Sequence, residues 1–283
     1  MILEKKAGDL HKYTEEQHKT KLKVGFVPTM GALHAGHISL IKKSISENDI
    51  TICSIFINPA QFNDPNDFNK YPVTIEQDIF QVETSGCNLL FLPSVEEIYP
   101  KETEAGQHYN LGYIETILEG KFRPGHFMGV CKVMERLLRI VEPDNLYLGQ
   151  KDYQQCMVIK QLITDLKLDK KIKTIICPTL REPDGLAMSS RNLRLNEQER
   201  KDATAIYHTL LYIKDQIHKN EIPEIKRAAE KILTEKGFLV DYVELADANT
   251  LKPINRWDGD TIIVVLIAAF MNNVRLIDNM TIN

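Results

Sequence analysis

The segment Val27-Pro28-Thr29-Met30-Gly31-Ala32-Leu33-His34-Ala35-Gly36-His37 reads as a strand that passes through a glycine-containing turn into a helix. A helix start attracts anions, because its first backbone N–H groups point outward with partial positive charge. Gly31 and Gly36 let phosphates approach the backbone closely. His34 and His37, three residues apart, share one helix face and can touch the same phosphates. Imidazolium at that place would offset the charge that grows on an α-phosphate and a leaving pyrophosphate. Taken alone, such a pair reads as two surface histidines or as half of a metal site. A zinc site needs further Cys, His or carboxylate ligands at suitable spacing, and no such cluster lies near in the sequence. The segment is neither a Walker A loop nor G-x-G-x-x-G.

Four further segments carry polar groups suited to small anionic ligands. Met188-Ser189-Ser190-Arg191-Asn192 offers two hydroxyls and a guanidinium, a combination that can grip β- and γ-phosphates from a mobile loop, although Ser-Ser-Arg is also a common surface sequence. Ser54-Ile55-Phe56-Ile57-Asn58-Pro59-Ala60-Gln61-Phe62 ends a strand in a polar tip. Arg123-Pro124-Gly125-His126-Phe127 makes a basic turn, and Gly149-Gln150-Lys151-Asp152-Tyr153-Gln154-Gln155 follows another strand. Open parallel sheets bind ligands at the carboxyl ends of their strands. Read singly, Lys151 and Asp152 are a solvated pair or, for Asp152, a helix N-cap. Arg123 caps a turn on the same reading, and Gln61 and Gln155 are surface residues.

The elements that must position these residues follow from hydrophobic spacing. Short apolar runs at Val24–Pro28, Thr51–Ile57, Asn88–Leu92, Asn145–Leu148 and Lys173–Cys177 alternate with amphipathic stretches, and helices are predicted to start near Gly36, Thr74, Gly129 and Tyr153. That pattern predicts an α/β, Rossmann-like, doubly wound parallel sheet. After Pro178 the character changes to two helical segments, Asn196–Lys219 and Pro223–Lys236, then strands near Leu239–Glu244, Thr261–Phe270 and Val274–Ile277. The expected division is residues 1–180 as a Rossmann-like domain that carries the phosphate-binding segment and 181–283 as a smaller α+β domain.

Composition narrows the class. The chain has 283 residues, 43% of them hydrophobic, with a formal net charge of -4 from 35 basic and 39 acidic side chains. A disordered chain is excluded, and the absence of a Lys/Arg block argues against nucleic acid as a partner. Cys53, Cys87, Cys131, Cys156 and Cys177 are spread without a C-x-x-C pair, as expected for reduced thiols in the cytoplasm. Met1 to His11 lack a signal-peptide apolar region. No apolar run approaches the roughly 20 residues of a membrane span.

The segment His34-Ala35-Gly36-His37 resembles the H-x-G-H signature of the nucleotidyltransferase superfamily, which places a comparable phosphate-binding loop far downstream, as Met188 to Arg191 are here. With the Asn58, Arg123 and Gly149 segments and Arg275-Leu276-Ile277-Asp278-Asn279, the resemblance from Lys23 to Asn279 is to the pantoate–β-alanine ligase family. It implies ATP-dependent condensation of pantoate with β-alanine through a pantoyl-adenylate, with Mg2+ accompanying ATP, no protein-held metal, and a cytoplasmic homodimer. It implies that His34 and His37 bind phosphates, with His37 the catalytic acid. Met30, Gly31, Ala32, Leu33, His34, Ala35, Gly36 and His37 would wrap the nucleotide, together with Gly149 and Gln150. Lys151 would reach the phosphates as a further catalytic cation, and Asp152 the ribose. Leu180 would meet adenine through its main chain, and Met188, Ser189, Ser190 and Arg191 would close over the triphosphate. Gln61 and Gln155 would hold pantoate, and Gln61 would also meet β-alanine. Asn58, Arg123 and His126 receive no fixed role. Where the family commonly has Phe-Gly-Glu-Lys-Asp, this chain has Leu148-Gly149-Gln150-Lys151-Asp152, a change expected to alter the orientation or local charge of Lys151 while activity survives. Two other classes stay open: a nucleotidyltransferase that stops after nucleotide transfer, and a non-catalytic ATP sensor.

Overall fold

Along the early strands, alternate side chains enter different cores, which is the mark of a sheet covered on both faces. The computed structural model describes residues 1–100 and 109–283. In chain order, the first part contains β1 (Ile2–Glu4), α1 (Ala7–Lys19), β2 (Val24–Thr29), α2 (Ala35–Glu47) and β3 (Ile50–Ile55). A 3-10 turn (Pro59–Gln61) then leads to α3 (Pro65–Asn69), α4 (Ile75–Thr84), β4 (Leu89–Phe91), α5 (Val95–Ile98), α6 (Leu118–Phe122) and α7 (His126–Val141). The part ends with β5 (Asn145–Gly149), α8 (Tyr153–Asp165) and β6 (Lys173–Cys177).

Among the described residues, six strands form one parallel sheet in the order β1-β4-β3-β2-β5-β6. Val24, Phe26, Ile52, Leu89, Phe91, Leu146 and Leu148 enter a core shared with Leu10 of α1, Phe127, Cys131 and Leu138 of α7, and Ile159 and Leu162 of α8. Their neighbours Val27, Cys53, Ile55, Leu90 and Tyr147 enter a second core with Leu40 and Ile41 of α2 and Val82 of α4. This is the Rossmann-like, doubly wound sheet expected from the spacing. The edge strand β1 and helix α1 are additions to that expectation. β1 spans three residues, and α1 buries only Leu10 and Thr14, so neither has a strong periodic signal.

By contact clustering the chain divides into two units: residues 1–149 with 155–178, and residues 150–154 with 179–283. The second unit holds 3-10 turns at Gln150–Asp152 and Ser190–Arg194, helices α9 (Glu197–Asp202), α10 (Ala205–Gln216) and α11 (Ile222–Glu235), and strands β7 (Phe238–Asp247), β8 (Ile263–Met271) and β9 (Val274–Ile282). The strands pair antiparallel in the order β7-β8-β9. On α11, Ile222, Ile225, Ala229 and Leu233 recur at helical spacing and are buried with Leu210 and Ile213 of α10 and Val265, Ile267 and Ala269 of β8. The helical stretch expected from Asn196 to Lys219 is two helices. Asn196 starts the first with a reciprocal cap to Glu199, and that helix ends at Asp202, before Ala203 and Thr204.

β9 continues five residues past its expected end at Ile277. Its continuation is hidden in the sequence because Asp278 and Asn279 are polar, yet only 4% and 2% exposed. Arg181 makes this possible. Its guanidinium donates from Nη1 to Asp278 Oδ2 at 2.5 Å and from Nη2 to Oδ1 at 3.1 Å, while its face lies 4.5 Å from the Tyr207 ring. Burial pushes the Asp278 carboxyl above the usual carboxylate range, and Arg181 opposes that shift. Removing Asp278 leaves the half-buried Arg181 guanidinium without its carboxylate. Asp278→Ala is therefore expected to destabilise the protein by about 1–3 kcal/mol, read as a lower urea midpoint.

Candidate active site

β2 is hydrogen-bonded to β3 on one side and β5 on the other, so three adjacent strands deliver their carboxyl ends together. The chain leaving β2 turns through Gly31 at φ +83° and Ala32 at φ +48° before α2 begins. Ala32 is an alanine in the left-handed region, which costs about 1–2 kcal/mol. The compensation comes from Asp78 on α4, a fully buried carboxylate that accepts from Ala32 N at 2.9 Å and Leu33 N at 2.8 Å. Thr74 Oγ1 donates to it at 3.1 Å. Hydrogen bonds to a charged group contribute about 1.5–3 kcal/mol each, enough to hold Ala32 in place.

The turn differs from the open anion cradle suggested by its glycines. Besides the two N–H groups held by Asp78, Gly31 N donates to Thr29 Oγ1 at 3.3 Å, and His37 N to His34 O at 2.9 Å. His34 N donates to His37 Nδ1 at 3.3 Å, and Gly36 N to His34 Nδ1 at 3.2 Å. His34 is thus the N-cap of α2 rather than a member of its first turn. The rings lie 4.0 Å apart, inclined by 37°. An Nδ1 that accepts a hydrogen bond carries no proton, so each imidazole holds its proton on Nε2. In this arrangement the rings are Nε2–H donors, where the sequence suggested imidazolium.

Gln61 ends the 3-10 turn that follows β3 and is 9% exposed. Its Oε1 accepts from Asn58 Nδ2 at 3.2 Å, and its Nε2 lies against Met30 Sδ. Asn58, 1% exposed, is saturated: Nδ2 also donates to Gly129 O at 3.1 Å, while Oδ1 accepts from Ala60 N at 3.2 Å and Tyr99 Oη at 2.8 Å. Those partners fix the direction of the Asn58 amide and, through it, that of Gln61. His126 is buried with Nδ1 2.7 Å from Gln61 O and Nε2 3.2 Å from Arg123 Nη1. A carbonyl on one side and a guanidinium on the other require Nδ1–H to donate and Nε2 to accept. Asn58, Arg123 and His126, which had no fixed role in the sequence, therefore hold the Gln61 turn. Gln155 lies half-buried in the first turn of α8, after β5.

The remaining residues belong to the second unit. Asn279 Nδ2 donates to Gln150 O and Lys151 O, both at 2.9 Å, and anchors the turn that carries Lys151 and the exposed Asp152. Leu180 O accepts from Met188 N at 3.0 Å, closing a short hairpin. Ser189 caps the Ser190–Arg194 turn by accepting from Arg191 N at 3.3 Å, and Ser190 is buried. The Ser189 hydroxyl is thus engaged in local structure. Burial pushes the Cys87 thiol up to about 11 and the Cys131 thiol up to about 12, so both stay protonated at neutral pH.

Asp78, Tyr99 and Gly129 are absent from the sequence-based assignment, since a lone carboxylate, tyrosine or glycine carries no motif. A Cβ on Gly129 would stand 2.0 Å from Ala60 O and 2.6 Å from Gln61 Cα. Gly129→Ala is expected to push α7 away from the Gln61 turn and to cost roughly 1–3 kcal/mol, measured by urea denaturation.

Known proteins share this architecture. The pantoate-beta-alanine ligase family model matches residues 2–281. A pantothenate synthetase of Cytophaga hutchinsonii is 45% identical over 276 residues, 96% of each chain. One from Caldicellulosiruptor bescii is 44% identical over 285 residues, 100% of this chain and 99% of that protein. The crystal structure of pantothenate synthetase from Thermus thermophilus superposes with a TM-score of 0.89 at 36% identity, covering 99% of both chains. That of the pantoate-beta-alanine ligase from Francisella tularensis, complexed with beta-gamma ATP and beta-alanine, gives 0.82 at 40% identity, covering 99% of this chain and 97% of that one. Likeness that runs from end to end in both sequence and fold leaves no separate region to be explained otherwise, and the chain belongs to the pantoate-beta-alanine ligase family.

Proposed function

We propose that this chain joins pantoate to β-alanine at the expense of ATP, in two steps. A pantoate carboxylate oxygen attacks the α-phosphorus, the bond from that phosphorus to the bridging oxygen breaks, and pyrophosphate leaves. The amine of β-alanine then attacks the acyl carbon, the carbon–oxygen bond to AMP breaks, and the amine proton passes to water. Mg2+ carried by the ATP substrate would neutralise part of the triphosphate charge. With no covalent enzyme intermediate, the protein's work is in-line positioning and stabilisation of phosphate charge.

The observation that carries this reading is the contact between Gln61 Nε2 and Met30 Sδ, which joins the acid-holding amide to the residue that opens the nucleotide turn. A reaction between a carboxylate and an α-phosphate needs those two sites side by side. In this reading His34 and His37 donate Nε2–H to the phosphates, and Lys151 and Arg191 add positive charge. Asp152 takes the ribose hydroxyls, the Leu180 main chain takes adenine, and Gly149, Gln150 and Met188 to Ser190 complete the nucleotide contacts. Gln61 and Gln155 take pantoate, and Gln61 also meets β-alanine. The family resemblance supports these roles, the lid role of 181–283 and a homodimeric state. Five buried free thiols support a reducing, cytoplasmic setting, and no described helix is long and apolar enough to cross a membrane.

Two variants test the assignment. His37→Ala should lower the rate of adenylate formation about a hundredfold or more while the fold persists, because the lost donor acts on charge that grows in the transition state. Near-normal turnover by the folded variant would remove His37 from the mechanism. Gln61→Ala or Gln155→Ala should raise the pantoate requirement roughly tenfold to a hundredfold, since an unpaired buried polar group costs about 1–3 kcal/mol. ATP affinity should be nearly unchanged. The measurement is ATP–pyrophosphate exchange, which should need ATP, Mg2+ and pantoate but no β-alanine. Exchange without any carboxylic acid would point to a plain nucleotidyltransferase, and no exchange with bound ATP to a sensor.

A further inference from the structure

The adenylation scheme leaves one fully buried carboxylate of the site unused. Asp78 sits on α4, away from the H-x-G-H segment in sequence, and no motif includes it. Yet both of its oxygens face the nucleotide turn, Oδ2 taking the N–H of Ala32 and Oδ1 that of Leu33. Gln81, three residues on and therefore on the same face of α4, donates from Nε2 to Leu33 O at 3.4 Å. The peptide groups on either side of Leu33 are thus held at both polarities by one helix. Thr74 Oγ1, at the start of that helix, donates to Asp78 Oδ1 and fixes the carboxylate plane.

Leu33 precedes His34, and the direction of His34 follows from where Leu33 is held. His34 caps α2 with Nδ1 toward Gly36 N, and its own N–H points to His37 Nδ1. These two bonds keep the ring protons on Nε2. We infer that Asp78 is a positioning residue for the adenylation step: its carboxylate holds Ala32 and Leu33 so that His34 and His37 lock each other in the Nε2–H form. The effect on rate rests on the ligase reading above, whereas the effect on the histidine rings does not.

A purely structural carboxylate would also be missed if removed, so the test separates the two roles. Asp78→Asn keeps the shape but puts an NH2 group against one of the two backbone N–H donors. In wild-type protein, long-range 1H–15N spectra of the imidazoles should show His34 and His37 with Nδ1 unprotonated and Nε2 protonated. In Asp78→Asn both rings should move toward averaged nitrogen shifts. In pantoate-dependent pyrophosphate exchange, kcat per folded molecule should fall about tenfold or more while the pantoate KM stays within about twofold, since misplacement of catalytic groups by an ångström costs about that much or more. Should Asp78→Asn fail to fold, Thr74→Val, which removes only the third bond, should move the same spectra and lower kcat about two- to fivefold. Unchanged ring spectra and kcat in a folded variant would overturn the inference. So would lower stability with kcat per folded molecule and ring spectra intact, for Asp78 would then be a structural carboxylate only. If wild-type protein shows the Nε2–H rings but no pantoate-dependent exchange, the ligase reading fails and the spectra alone decide the role of Asp78.

Discussion

The arrangement depends first on β2 having no free edge and no free face. It is paired to β3 and β5, with Val24 and Phe26 packed into one core and Val27 into the other. Such a strand cannot shift by a residue without turning its buried side chains to the wrong face. The point at which the chain emerges after Thr29 is therefore fixed, and so is the start of the turn that follows. From β2 the chain runs to β3 and β4 on one side and later to β5 and β6 on the other. That reversal is where open α/β sheets bind ligands, since loops from neighbouring strands part there.

A fixed starting point does not by itself produce a binding turn. The N–H groups between Gly31 and His37 need partners, and in this chain Thr29, Asp78, His34 and His37 supply most of them. The consequence is chemical. A turn that uses its backbone donors internally has few left for an anion, and the two imidazoles, placed at the positive end of α2, carry their protons on Nε2. The same economy holds at Gln61, whose oxygen is taken by Asn58, so that the amide nitrogen is the group directed at Met30. In both places a side-chain acceptor is taken up by a neighbouring N–H group, which fixes the direction of the ring or amide that carries it.

Much of this was legible from the sequence because its signals are local. The alternation of Val24, Phe26 and Val27, the glycine before Ala32, and His34-Ala35-Gly36-His37 all lie between residues 24 and 37, and the strand and the turn after it follow from them. Asp78 was illegible because its partners lie more than forty residues away, and a carboxylate at a helical position ordinarily marks a solvated face. Asn58, Tyr99 and His126 are joined by separations of forty to seventy residues that no periodicity reports. The end of β9 failed for a different reason. Asp278 and Asn279 break the apolar alternation, and partners far along the chain, Arg181 for Asp278 and the Gln150–Lys151 turn for Asn279, make a polar strand interior acceptable.

Gln150, the departure from the family's usual glutamate, can be judged on the same principle of donors and acceptors. Asn279 spends both Nδ2 protons on the carbonyls of Gln150 and Lys151, which leaves its Oδ1 turned toward the side chain at 150. Gln150 meets it with Nε2 at 3.3 Å, a donor that a glutamate lacks when ionised. The main chain of Lys151 is held by Asn279 through bonds that do not involve the side chain at 150. What the glutamine changes is the charge beside Lys151: one carboxylate fewer stands near the ammonium. The anchoring of the turn and the electrostatics of its lysine are thus carried by different residues, and a substitution can alter the second while the first stays in place.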